Sequence, residues 1–489
     1  MSRTAAPTRD PRWLALIVLC AGVLMNILDQ TIVGVALPSI QGELSFSQAS
    51  LAWVVNAYLI AFGGLLLLAG RLGDRVGRKR VFMAGLAVFT AASLLCGLST
   101  SRELLIAARF VQGVGGAMTS AVVLGVIVTL FPEPRERARA IGFFSFVAAT
   151  GGSIGLLAGG VLTQALSWHW IFLVNVPIGI SVALLAARVL ETDRGIGLGE
   201  GADVAGAVLV TAALMLGVFT IVEVPGRGWG SPATVAGAAV SIGLLAAFVR
   251  RQATATNPIV PLRVFRSRIV SGANLVQALM MAGHFGFFFL GTLYLQRVLT
   301  YNPTRIGLAF LPVALAIGTF SLGVSPRLST RFGARSVLLP GLALTVLGLL
   351  LLSRVPVEGQ YVSDLLPVML LVGVGGGLSF PSLASLAMSG ATARDSGLAS
   401  GLLNTTQQVG GALGLAILAT LSTARTDQLL ADGERVASAL TGGYQLAFAI
   451  GAGLLAVALL LAATVLKISA ATEVHGVSSS RNELDSEAV

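Results

Sequence analysis

Apolar runs of about 20 residues recur along the whole chain, and they limit its fold more than any other feature. As helices they match the hydrocarbon thickness of a bilayer. We place them at 13–38, 49–69, 81–100, 103–131, 137–163, 169–190, 204–224, 233–250, 269–296, 303–325, 335–354, 364–388, 396–421 and 442–467. That predicts an all-α membrane protein with fourteen transmembrane helices. Charged residues make up 11% of the chain, against about 25% in a soluble domain. The 59 glycines suit close packing of membrane helices.

Basic residues set the orientation. Of the 32 Lys and Arg, 24 lie in the two tails and alternate loops, seven lie in the opposite loops, and Arg109 lies within a span. Such bias makes the tails cytoplasmic. It also explains the net charge of +10 without nucleic acid. The five tryptophans (Trp13, Trp53, Trp168, Trp170 and Trp229) fall near expected membrane interfaces. The first apolar run is too long for a signal-peptide core and is read as a retained helix.

The chain echoes itself. "RLGDRVGRK" (71–79) matches "RLSTRFGAR" (327–335) at an offset of 256, and "GVGGA" (113–117) matches "GVGGG" (373–377) at 260. Gly142, Gly151, Gly152 and Gly155 match Gly401, Gly410, Gly411 and Gly414 at 259. Spans 1–6 therefore pair with spans 9–14, and spans 7 and 8 look inserted. The expected division is a cytoplasmic tail (1–12), a six-helix bundle (13–190), two inserted helices with their loops (191–268), a second six-helix bundle (269–467) and a disordered cytoplasmic tail (468–489). Parallel repeats with a site between them near the midplane are a secondary-transporter architecture, which implies alternating access.

Within this apolar frame a few polar residues stand out. Asp29 is the one charge in "NILDQTIVGVALP" (26–38). A carboxylate in hydrocarbon is costly and marks a functional candidate. Arg109 lies at a similar depth in span 4 and needs an anionic or carbonyl partner. The two are expected to form either a fixed structural ion pair or a proton-linked network. His284, inside span 9, is a second candidate for protonation or a satisfied packing residue; its counterpart falls at 24–28 of span 1. Glu223, ahead of "PGRGWGSP", is a further proton-coupling candidate, read first as an outer-interface residue.

Asn404, Gln407 and Gln408 give span 13 a polar face that lines a cavity or binds helices together. Asn56, Gln112 and Gln277 are other uncharged polar candidates for substrate contact within spans. Gly151, Gly155 and Gly159, with Gly160 beside them, form a smooth stripe for close helix approach, whether static or moving. In "GRLGDRVGRKR" (70–80), Gly70, Gly73 and Gly77 allow a tight turn, and Asp74 can pair with Arg71, Arg75, Arg78 or Lys79 or cap the next helix. The segment reads as a latch or as a plain basic loop. No Lys is followed by Ser or Thr, so the P-loop pattern for ATP is missing. Three scattered His and two isolated Cys give no recognisable zinc set, and no cofactor or metal is expected.

The motifs together resemble the major facilitator superfamily, and within it the fourteen-helix drug:proton antiporters. "GRLGDRVGRKR" looks like the superfamily signature between helices 2 and 3. "LDQTIVGVALPSI" (28–40) is similar to the helix 1 motif of that branch, with Gly34 where Asn is usual. Arg109, Gln112 and Gly113 match the helix 4 motif, whose arginine is implicated in proton coupling. "GGSIGLLAGG" (151–160) resembles the helix 5 antiporter motif, with Leu156 in place of its proline. "WHWIFLVNVPIG" (168–179) also fits, with His169 where Arg is common. The resemblance implies a multi-pass membrane protein that exports amphiphilic or cationic drugs or antibiotics against protons; a monomer is expected, and the small-residue, Arg-over-Lys composition points to a bacterial cell membrane. The alternatives are a metabolite or siderophore exporter or facilitator without strict proton coupling, and, in another class, a membrane enzyme or receptor; against the latter stand the missing catalytic cluster and loops of only about 20 residues.

Overall fold

The computed structural model describes residues 11–191, 203–256, 258–389 and 396–466. Both expected tails lie largely outside them, as does the Asp74 side chain. Among the described residues there are fourteen long helical segments. They are α1 (Pro11–Leu44), α2 (Trp53–Val76), α3 (Arg78–Gly97), α4 (Arg102–Leu130), α5 (Pro134–Ala165), α6 (Trp170–Val189) and α7 (Val204–Val222). Then come α8 (Pro232–Thr254), α9 (Arg268–Arg297), α10 (Pro303–Phe332), α11 (Ala334–Leu352), α12 (Tyr361–Leu365 running into Leu366–Ser389), α13 (Ser396–Ala431) and α14 (Val436–Thr464). Twelve are long and apolar enough to cross a membrane by length and composition. The other two, α2 and α5, stand where the second and fifth spans are expected, and their charges crowd one end: Arg71 to Arg75, and Arg135 to Arg139.

Packing repeats with the sequence. α1 packs on α5 as α9 packs on α13. Likewise α2 and α3 pack on α4 as α10 and α11 pack on α12, and α3 meets α6 as α11 meets α14. Across the two halves, α2 lies on α13 and α5 lies on α10. Helix α7 packs on α8, α2 and α13. Only 6% of the apolar window of α8 is buried, as suits a helix facing lipid.

Glycine sets how close the helices come. A Cβ on Gly155 would sit 2.0 Å from Thr31 Oγ1, and one on Gly159 would sit 2.7 Å from the Ile32 carbonyl. Gly151 meets Leu24 and Ile27 in the same way, so three glycines of α5 face α1. Gly160 faces the other half instead, 2.8 Å from the Pro303 carbonyl, so the stripe serves two neighbours.

The 70–80 segment is more helical than a loop reading implies. α2 runs to Val76, and Gly77 alone makes the joint, at φ 111°. Its duplicate Gly333 does the same between α10 and α11, at φ 84°. Gly73 permits contact with Val122 of α4, and Gly70 lies against Ala121. Arg78 Nη1 donates to the Gly125 carbonyl (2.8 Å) and to Thr129 Oγ1 (3.0 Å). Lys79 donates to the Ala187 (2.9 Å) and Leu190 carbonyls at the end of α6. Its duplicate Arg335 reaches the Ala462 and Ala463 carbonyls at the end of α14. Cations at helix C-termini satisfy orphan carbonyls and oppose the negative dipole end.

The tryptophans differ in their surroundings. Trp168 is buried, its indole N–H donating to Glu43 Oε2 at 2.7 Å, and Trp53 is buried too. Both pack inside the protein, whereas Trp170 and Trp229 are exposed.

At the start of α7, Asp203 caps the Gly206 amide (2.9 Å), pairs with Arg251 and accepts from Gln252 (2.7 Å). Burial pushes its carboxyl up, but these hydrogen bonds and the Arg251 charge outweigh that and hold it below the usual carboxylate range. Gln252 also accepts from the Val260 amide (3.0 Å), so one clasp ties α7, α8 and the following segment together.

A buried ion pair as the candidate functional site

Asp29 and Arg109 meet inside the first half. Arg109 Nη1 lies 2.5 Å from Asp29 Oδ2, with the side chains 1% and 0% exposed. The other carboxylate oxygen, Oδ1, accepts from Gln112 Nε2 (2.7 Å) and Asn175 Nδ2 (3.0 Å). Arg109 also donates to the Val54 carbonyl (2.8 Å) and to Gln112 Oε1 (2.6 Å), and its guanidinium lies 4.5 Å from the Tyr58 ring centre. Gln112 Nε2 reaches Ser93 Oγ at 2.8 Å, and the Cys96 thiol approaches Gln112 Oε1 at 3.7 Å. Residues from α1, α2, α3, α4 and α6 thus share one network.

The chemistry of this cage is one-sided. Every group touching the carboxylate is a donor: a guanidinium and two amide NH2 groups, as oriented by the network. A proton placed on Asp29 therefore meets no acceptor among the three groups touching the carboxylate. Protonation also removes the charge that compensates a buried guanidinium, and breaking such a pair costs about 3–5 kcal/mol.

The other candidates lie elsewhere. His284 is buried on α9; its Nδ1–H donates to the Met280 carbonyl at 2.9 Å, Nε2 has no partner among the described residues, and its ring lies 5.1 Å from that of Phe380. Glu223 ends α7 and pairs with Arg227 at 3.2 Å on the surface. Gln277 bonds Gln407 between α9 and α13 (3.2 Å), beside an Asn274–Thr406 contact (2.8 Å). Gln408 is buried against Gly63 of α2 and its Oε1 has no partner among the described residues, while Asn404 is exposed. Asn56 is fully buried, and among the described residues neither amide atom has a partner. Gln112, expected among cavity residues, belongs to the ion-pair network. Two surface concavities, of about 510 Å³ at Leu299, Tyr301 and Arg305 and about 310 Å³ at Glu43, Ser101 and Arg102, are lined by none of the ion-pair residues. The described residues hold no group of His, Cys, Asp and Glu able to bind a metal.

The sequence reading missed Asn175 and Ser93. Asn175 sits inside the quoted "WHWIFLVNVPIG", where an amide in an apolar run was the available signal. It also missed Asn26, which bonds Thr119 Oγ1 (2.7 Å) and Ser120 Oγ (3.0 Å) of α4. The α1–α9 register differs from the expected one. Gly151 faces Leu24 where Gly410 faces Ala278, and Gly155 faces Leu28 where Gly414 faces Ala282, an offset of 254. His284 then corresponds to residue 30, and Asp29 to Gly283.

Two duplicated helical halves with an ion pair buried in one of them define a multi-pass membrane transporter. The profile of the Major Facilitator Superfamily matches residues 19–415, and the chain belongs to that family. It is 39% identical over 460 residues to the puromycin resistance protein pur8 of Streptomyces alboniger, covering 93% of this chain and 91% of that one. It is 42% identical over 410 residues to the cephamycin export protein CmcT of Amycolatopsis lactamdurans, covering 83% and 84%. Among solved structures, a bacterial homolog of the human lysosomal transporter Spinster, described as inward-facing and unoccupied, superposes with a TM-score of 0.67. That match is 17% identical in sequence and spans 95% of this chain and all of that one.

Proposed function

We propose that the protein is a proton-driven exporter of antibiotics and related amphiphilic or cationic small molecules. It works by alternating access between bundles 13–190 and 269–467 in a bacterial cell membrane, with both termini cytoplasmic. The cargo class rests on the relatives, whose names give puromycin resistance and cephamycin export. The proton coupling rests on one observation, the unequal filling of the two halves.

Contact register equates Asp29, Ser93, Arg109 and Gln112 with Gly283, Leu349, Met369 and Val372. Gly85 meets Thr119 and the Gly115 carbonyl as Gly341 meets Ser379 and the Gly375 carbonyl, which fixes α3 with α11 and α4 with α12. Leu349, Met369 and Val372 are buried in one apolar cluster, and Leu455 packs against Gly283. Apolar side chains thus hold the same helix contacts in the second half. Replacing a buried ion pair by packed apolar groups is often neutral or stabilising. This supports reading the polar cage as kept for its chemistry, with Asp29 carrying the exchanged proton and Arg109 moving when it does.

The test is expression in a pump-deficient host with a panel of antibiotics and dyes that includes puromycin. At least one compound is expected to show fourfold or greater resistance, and its accumulation should rise when an uncoupler collapses the proton gradient. Resistance that survives the uncoupler would instead favour a facilitator without proton coupling. No protection across the panel would remove the drug-export reading.

A further inference from the structure

The stretch 250–268, which joins α8 to α9, holds five arginines and neither an aspartate nor a glutamate. Arg251 is taken up by Asp203. Arg250, Arg266 and Arg268 are exposed and make no ion pair among the described residues. Arg268 opens α9 at the positive end of the helix dipole, where a cation is unfavourable, and no acidic residue of the first turn offsets it. A positive-inside bias accounts for the sign of this stretch, but it asks nothing of where the side chains are held.

These side chains stand on a fixed support. Ile259, Val260 and Val264 share a buried apolar cluster with Ala207 of α7, Val270 of α9 and Leu402 of α13, and Phe248 of α8 packs against it. Gln252 accepts from the Val260 amide at 3.0 Å, Ser271 Oγ donates to the Phe265 carbonyl at 2.8 Å, and Ser267 Oγ caps the Val270 amide at 3.3 Å. The short turn Leu262–Arg266 is thus fastened to α8 and α9, while Phe265 stays 43% exposed. On α8, Ile242, Leu245 and Val249 are 67%, 45% and 45% exposed, at spacings that keep them on one helix face. That apolar stripe runs to the helix end that Gln252 fastens to the basic segment. Guanidinium groups bind phosphate oxygens in a forked, two-bond geometry. An apolar stripe ending at fixed guanidiniums complements a molecule with acyl chains and an anionic head.

We propose that this segment binds an anionic phospholipid, with the phosphate on Arg266 and Arg268 and the acyl chains along α8. A lipid held there bridges the inserted helices and the first helix of the second half. Under the topology proposed above it belongs to the cytoplasmic leaflet; the binding itself is independent of the side, of the cargo and of proton coupling.

The experiment is native mass spectrometry of the full-length chain in detergent, titrated with dioleoylphosphatidylglycerol or dioleoylphosphatidylcholine. The parent should bind phosphatidylglycerol at least fivefold more tightly than phosphatidylcholine. Arg266→Gln combined with Arg268→Gln should weaken phosphatidylglycerol at least fivefold and leave phosphatidylcholine within twofold. Arg327→Gln combined with Arg331→Gln removes equal charge at another exposed pair and should leave both lipids within twofold. Equal weakening by the two double variants would overturn the site, because charge anywhere would then suffice. A parent without preference for phosphatidylglycerol would overturn it as well. Displacement of the lipid by millimolar inorganic phosphate would also overturn it, as a site for free anions. If the double variant is recovered poorly, Arg266→Gln alone should weaken phosphatidylglycerol about threefold, and no change from it would count equally against the proposal.

Discussion

Asp29 and Arg109 could be picked out from sequence because charges in apolar runs are rare and conspicuous. Their partners could not. Asn175 and Ser93 are uncharged, and which helices surround α1 depends on tertiary packing that no local pattern encodes. Removing one partner separates a structural pair from a working one. Arg109→Met leaves the Asp29 carboxylate buried without its cation and should lower stability by about 3–5 kcal/mol. Adding Asp29→Ala should restore most of it, because the second half packs Gly283 and Met369 at the same places. Thermal unfolding in detergent reads both. A double variant no more stable than the single one would show that the cage holds the bundle together.

At the scale of elements, the helices and the duplication were legible, because apolar length and glycine spacing are properties of short segments. The register between α1 and α9 was not, since neither carries a matching motif and a shift of a few residues leaves hydropathy unchanged. Only the contacts of Gly151, Gly155, Gly410 and Gly414 fix it. These glycines are predicted to be far less replaceable than Gly34. A Cβ at Gly414 would lie 2.2 Å from the Ala282 Cβ, whereas one at Gly34 meets nothing within 4 Å. Gly414→Leu should abolish stable expression, and Gly34→Asn should leave yield and melting temperature within error of the parent. Fluorescence-detected size-exclusion profiles give both answers; a well-folded Gly414→Leu would refute the close-packing account of α9 and α13.

At the scale of the whole molecule, the charge bias sets a topology and the cage sets a cycle. Cysteines placed at Ser2 and Ser486 should resist an impermeant maleimide in intact cells; labelling of either from outside would invert the assignment. The cycle is the central claim. We propose that Asp29 holds Arg109 while ionised and releases it on protonation, which would link the proton to the arrangement of the helices through differential binding. The most direct measurement compares two transport modes of Asp29→Asn in proteoliposomes. The account predicts that accumulation driven by a pH gradient is lost, while exchange of labelled for unlabelled substrate without a gradient stays within about threefold of the parent, because Asn cannot cycle a proton. Full gradient-driven accumulation by Asp29→Asn would contradict it.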